Sequence, residues 1–171
     1  MSLYRLRNII IALLLIIAAF VLQSAVFSKI QILGCAPNLL LILTFVYGYT
    51  KDKISGMLMG LFSGLLLDTF SCDVIGYNAL ILLIIGFISG IWSSYFYSDD
   101  LYVPLLLILG SELLYCLLYY VFWFLLRAKF EFGYYLIHVI LPEFLLTIIA
   151  GVILYKPLAL LNEKLSIVSE Q

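Results

Sequence analysis

The chain has 171 residues, 65% of them hydrophobic and 11% charged, with a formal net charge of −1. Soluble domains carry roughly a quarter charged residues, so this composition excludes a water-soluble globular fold and defines an integral membrane protein. Nine basic residues in short, separate clusters form no continuous stripe, which excludes a nucleic-acid-binding role.

Apolar segments fall at about 8–27, 37–50, 54–70, 74–97, 101–126 and 134–155. The first follows MSLYRLRN with no A-x-A-like cleavage site, and is expected to be a first span instead of a removable signal peptide. The second and third hold 14 and 17 residues. At 1.5 Å rise per residue they cover about 21 and 25 Å of a hydrocarbon core roughly 30 Å thick. They fit a short helical hairpin turning at Thr50-Lys51-Asp52-Lys53, whose lysines snorkel to the interface.

The basic residues set the number of crossings. With six spans, Arg5, Arg7, Lys51, Lys53, Lys156 and Lys164 lie on one side and Lys29, Arg127 and Lys129 on the other, six against three. If the second segment does not cross, the split becomes four against five. The positive-inside rule therefore predicts an all-α protein with six transmembrane helices, both termini cytoplasmic, and residues 1–171 as a single membrane domain.

The third segment reads GMLMGLFSGLLLDTF, with Gly56, Gly60 and Gly64 at every fourth position and Asp68 at the next step. Lipid gives apolar helices little reason to associate, so close backbone packing through small residues carries more weight. The fourth segment has a similar stripe, Asn78, Gly86, Gly90 and Ser94, interrupted by Leu82. These glycines are expected to pack spans three and four together. Asp68 lies at the end of its span, where a carboxylate is tolerable, either solvated or capping a helix. With Pro37-Asn38 at similar depth, it also suggests a polar-floored depression between the short hairpin and its longer neighbours.

Glu112 falls in mid-span five and Glu143 directly follows Pro142 in span six. Intramembrane acids face the bundle interior and find partners there. No basic residue lies in mid-membrane to pair with these acids, so neutral, hydrogen-bonded carboxyls are expected. Pro142 also frees a carbonyl near His138, and the alternative is a polar relay His138–Glu143–Glu112 of the kind that suits a proton-coupled transporter. Cys35, Cys72 and Cys116 lack metal-ligand spacing and three cysteines define no disulfide framework. With no nucleophile–base pair, phosphate loop or metal motif, the expectation is a non-enzyme without metal or cofactor. Residues 157–171 carry Leu158, Leu161, Leu165 and Val168 at helical spacing. They predict an amphipathic helix on the inner membrane surface or a docking helix for a cytoplasmic partner.

Residues 37–90 resemble the central region of the MreD rod-shape-determining family. Its members open an apolar span with Pro-Asp or Pro-Asn, follow it with a charged turn and a Gly-rich helix ending in Leu-Asp, and place a Gly shortly after. Pro37, Asn38, Gly56, Gly60, Gly64, Asp68, Gly76 and Gly90 stand at the matching places. Length and six apolar segments extend the likeness over the chain, although residues 100–171 match in hydropathy alone. The resemblance implies a bacterial inner-membrane scaffold of the elongation machinery for lateral peptidoglycan synthesis. Its implied partners are an MreC-like bitopic protein and, indirectly, MreB, RodA and a class B penicillin-binding protein, in a setting of membrane lipid. It also implies a fold similar to the substrate-binding subunits of energy-coupling-factor transporters. A vitamin-type transport subunit is therefore the alternative, with Pro37, Asn38, Asp68 and Asn78 around the depression as the ligand or partner site.

Overall fold

The computed structural model describes residues 3–27, 37–71, 76–96, 102–127 and 141–167. Among them are six α-helices and no strand: α1 (Leu3–Val21), continued by a π-helical stretch over Leu22–Phe27, α2 (Leu39–Thr50), α3 (Lys53–Ser71), α4 (Tyr77–Phe96), α5 (Tyr102–Arg127) and α6 (Leu141–Ile167). The stretches Arg7–Ala25, Lys53–Phe70, Tyr102–Val121 and Leu141–Leu161 are long and apolar enough to cross a membrane, while Leu39–Thr50 and Tyr77–Ser93 are shorter apolar helices.

The shortest helix sits at the centre. Every residue of α2 from Leu39 to Tyr49 is buried, and α2 touches all five other helices. One side of it packs Leu40, Leu43 and Tyr47 with Met59 and Leu82. The other packs Ile42, Phe45 and Val46 with Ile108 and Ala150. Twelve residues span only about 18 Å, so the ends of α2 lie where backbone polar groups need protein partners instead of water. Asn38 caps the N-terminus, its side chain accepting from the Leu41 N–H at 3.2 Å. At the other end the Lys51 N–H donates to the Tyr47 carbonyl at 3.1 Å. The turn into α3 is Lys51-Asp52, and Asp52 caps α3 by accepting from the Ser55 N–H at 3.0 Å, a standard N-cap use of a short carboxylate.

The tightest interface is between α3 and α4, and the glycine stripe makes it. A β-carbon at Gly60 would collide with the Leu82 carbonyl, one at Gly64 with the Ala79 backbone, and one at Gly90 with the Lys53 backbone. Gly56 and Gly86 face each other, each barring a side chain on the other. The interruption at Leu82 is accommodated because Gly60 lies opposite its backbone. Gly48 of α2 joins the same contact: a β-carbon there would lie 2.7 Å from the Gly86 carbonyl oxygen and 3.3 Å from the Gly56 Cα. Three backbones thus meet at Gly48, Gly56 and Gly86.

The outer helices differ from this core. Only 6% of the apolar stretch of α1 is buried, and Ile10, Leu14 and Ile17 face outward. Helix α6 continues through Pro157 to Ile167, so residues 157–167 prolong the sixth helix and do not form a separate element. Pro142 stands in the first turn of α6, where its missing N–H costs no helical hydrogen bond.

Candidate functional site: two buried polar junctions

Four sequence-identified polar residues, Asn38, Asp68, Asn78 and Glu112, meet in two junctions. In the first, the Asp68 carboxylate near the end of α3 accepts three backbone N–H groups: Gly76 at 2.9 Å, Asn78 at 2.9 Å and Ala79 at 3.1 Å. The N–H groups that open a helix have no partner within it, and here a carboxylate from the preceding helix supplies one. Its negative charge also sits favourably at the positive end of α4. Gly76 makes the approach possible with φ of +99°, a left-handed conformation that glycine adopts without steric penalty. The Asn78 side chain then accepts from the Tyr115 hydroxyl at 2.9 Å, which carries the junction to α5. Tyr115 stacks on Tyr119 at 5.9 Å, and the Tyr77 hydroxyl donates to the Tyr119 carbonyl.

In the second junction, the Asn38 N–H donates to the Thr147 hydroxyl oxygen at 3.0 Å. That hydroxyl donates in turn to Glu112 Oε1 at 3.4 Å. This chain links α2, α6 and α5. Glu112 is fully buried, and its Oε2 has no hydrogen-bond partner among the described residues. Glu112 and Tyr115 are three residues apart on α5 and so share a face. One helix therefore closes both junctions.

Asn38, Asp68 and Asn78 are only 2%, 1% and 3% exposed; they are enclosed by protein and bonded to helix ends or to side chains of neighbouring helices. Pro37 is buried beside Asn38. Glu143 is partly buried in the first turn of α6 and within electrostatic reach of Glu112. His138, Cys35 and Cys72 lie outside the described residues, while Cys116 is a buried free thiol. Two members of the junctions, Tyr115 and Thr147, escape a sequence reading focused on charges and glycines. The available signal was their register: Tyr115 follows Glu112 by three, and Thr147 follows Glu143 by four. Among the described residues no three His, Cys, Asp or Glu side chains gather as metal ligands. What the arrangement does chemically is satisfy backbone and side-chain polar groups where lipid offers no hydrogen bonds.

These features define an all-helical membrane protein built round a short, fully enclosed helix. The family model for rod shape-determining protein MreD matches residues 4–165. The chain belongs to the MreD family, as the likeness of residues 37–90 implied. No curated protein and no solved structure matches it. Membership carries a role in rod shape determination and cell elongation, in a family of membrane proteins that is generally not catalytic and is associated with the MreC/MreB shape complex.

Proposed function

We propose that this protein is a non-catalytic scaffold of the bacterial elongation complex in the inner membrane. It holds an MreC-like bitopic protein beside its helices, and through it MreB, RodA and a class B penicillin-binding protein at sites of lateral peptidoglycan synthesis. Its six helices cross the membrane with both termini in the cytoplasm, as the six-to-three division of basic residues favours. The observation that carries this reading is the family match over residues 4–165. The packing supports it. A seam of closely apposed glycine backbones suits a body that presents fixed helical faces, and Asn38, Asp68 and Asn78 of the two junctions are engaged within the fold. A transport subunit needs several polar groups converging on a ligand, and Asn38, Asp68 and Asn78 are spent on helix ends and helix contacts instead.

Depletion of the protein from rod-shaped cells tests the proposal. Cells are expected to widen and round, and mild detergent extraction is expected to recover an MreC-like single-span protein with the chain. Normal cell shape on depletion, with a stoichiometric small molecule and a coupling ATPase in the purified complex, would establish the transport reading instead.

A further inference from the structure

A groove of about 630 Å³ runs between the N-terminal half of α1 and the first half of α3. Its walls are Ile9, Leu13 and Ile16 on one side and Leu58 and Phe62 on the other, with Tyr47 of α2 between. Polar lining is confined to one end, where Asn8, Lys51, Asp52 and Ser55 meet at the α2–α3 turn. We propose that this groove holds one anionic phospholipid with a hydroxyl-bearing headgroup. Its acyl chain lies between α1 and α3, and its phosphate sits against Lys51.

Three observations select that occupant. The first is the amphipathic profile, apolar along the walls and polar at one end, which matches a lipid's chain and headgroup. A transmembrane helix, whether a partner's or a second copy's, packs best against small residues that admit its backbone, and these walls are Ile, Leu and Phe. The second is charge. Lys51 Nζ is held 2.9 Å from the Tyr47 hydroxyl and 4.4 Å from the centre of its ring, which fixes the ammonium and leaves it further donors, since an ammonium carries three. Lys51 is the one basic residue among the lining residues and Asp52 the one acid, and that acid already accepts the Ser55 N–H, so the ammonium is the charge left to meet a headgroup. The third is Asn8, whose side-chain oxygen is buried without a donor among the described residues. A phosphate cannot satisfy that acceptor, but a headgroup hydroxyl can. The inference requires only the membrane setting and does not depend on the scaffold reading.

The test is native mass spectrometry of the full chain in mild detergent, titrated separately with phosphatidylglycerol, phosphatidylcholine and phosphatidylmethanol, an anionic lipid without a headgroup hydroxyl. One phosphatidylglycerol is expected to bind in preference to both others. Lys51→Ala should weaken it about fivefold, the weight of one basic side chain against anionic lipid. Asn8→Leu should erase the advantage over phosphatidylmethanol while leaving that over phosphatidylcholine. Ala12 also lines the groove on α1, and Ala12→Phe, which fills it, should remove the adduct. If Ala12→Phe does not fold, Lys51→Ala on the surface turn still decides. Equal binding of all three lipids, or wild-type binding by Lys51→Ala, would overturn the proposal. So would a dimer that disappears in Ala12→Phe, because the groove would then belong to a second copy.

Discussion

Glycine means two different things in the two halves of this molecule. Between α3 and α4, a β-carbon at Gly56, Gly60, Gly64, Gly86 or Gly90 runs into the facing backbone. In α5 and α6, a β-carbon at Gly110 would meet, among the described residues, the Trp92 ring at 3.6 Å, and one at Gly151 the Ile108 side chain at 3.5 Å, both ordinary contacts. The first half is held by backbones in direct apposition. The second is joined to the core by side chains, through Tyr115–Asn78 and Glu112–Thr147–Asn38. In a membrane both strategies answer the same problem: apolar surface gives no net drive to associate, so contact comes from close packing or from hydrogen bonds.

The comparison breaks most visibly at Gly60. Gly60→Leu is expected to cost more than the roughly 1–3 kcal/mol of ordinary overpacking, because the obstacle is backbone and cannot change rotamer. Monodisperse protein should be lost on detergent extraction, while Leu61→Ala beside it extracts normally. Asp68→Ala is next. It strips the N–H groups of Gly76, Asn78 and Ala79 of their acceptor, and a buried orphan costs about 1–3 kcal/mol, so a loss of about 3 kcal/mol or more should appear in the thermal unfolding midpoint. Asp68→Asn, keeping one acceptor oxygen, should lose less. Thr147→Val removes an acceptor and a donor from the second junction and should cost about 1–2 kcal/mol by the same measurement. Gly151→Ala has the smallest expected effect. It fits the space available and gains helix propensity of about 0.5–1 kcal/mol, so its midpoint should equal or slightly exceed that of the wild type. A large loss at Gly151 would erase the distinction between the two halves.

The seam was legible in the sequence because close helix packing leaves a four-residue spacing of small side chains. The interruption at Leu82 looked like a flaw in the stripe only because the opposite glycine was out of view. Burial in α2 was not legible. In a membrane both lipid-facing and protein-facing surfaces are apolar, so Leu39 to Tyr49 carry no periodicity that separates centre from edge, and α1 shows equal apolarity while facing outward. Asp68 stood out as a carboxylate at a helix end, but the choice between a helix cap and the floor of a depression depended on where the start of α4 comes back. Gly76, at the family's position, was the residue that decided it. Tyr115 and Thr147 were missed because one hydroxyl in an apolar helix acquires meaning only from what faces it.

On the scaffold proposal, Asp68 acts inside the fold and partners are met by the helical faces it holds in place. The direct measurement is recovery of the MreC-like protein per folded molecule, with Asp68→Ala compared against the wild type in cells expressing either at matched transcript levels. Folded protein is expected to fall while recovery per folded molecule stays unchanged. Full abundance of Asp68→Ala together with loss of the MreC-like protein would contradict the claim and place the carboxylate at the partner's surface.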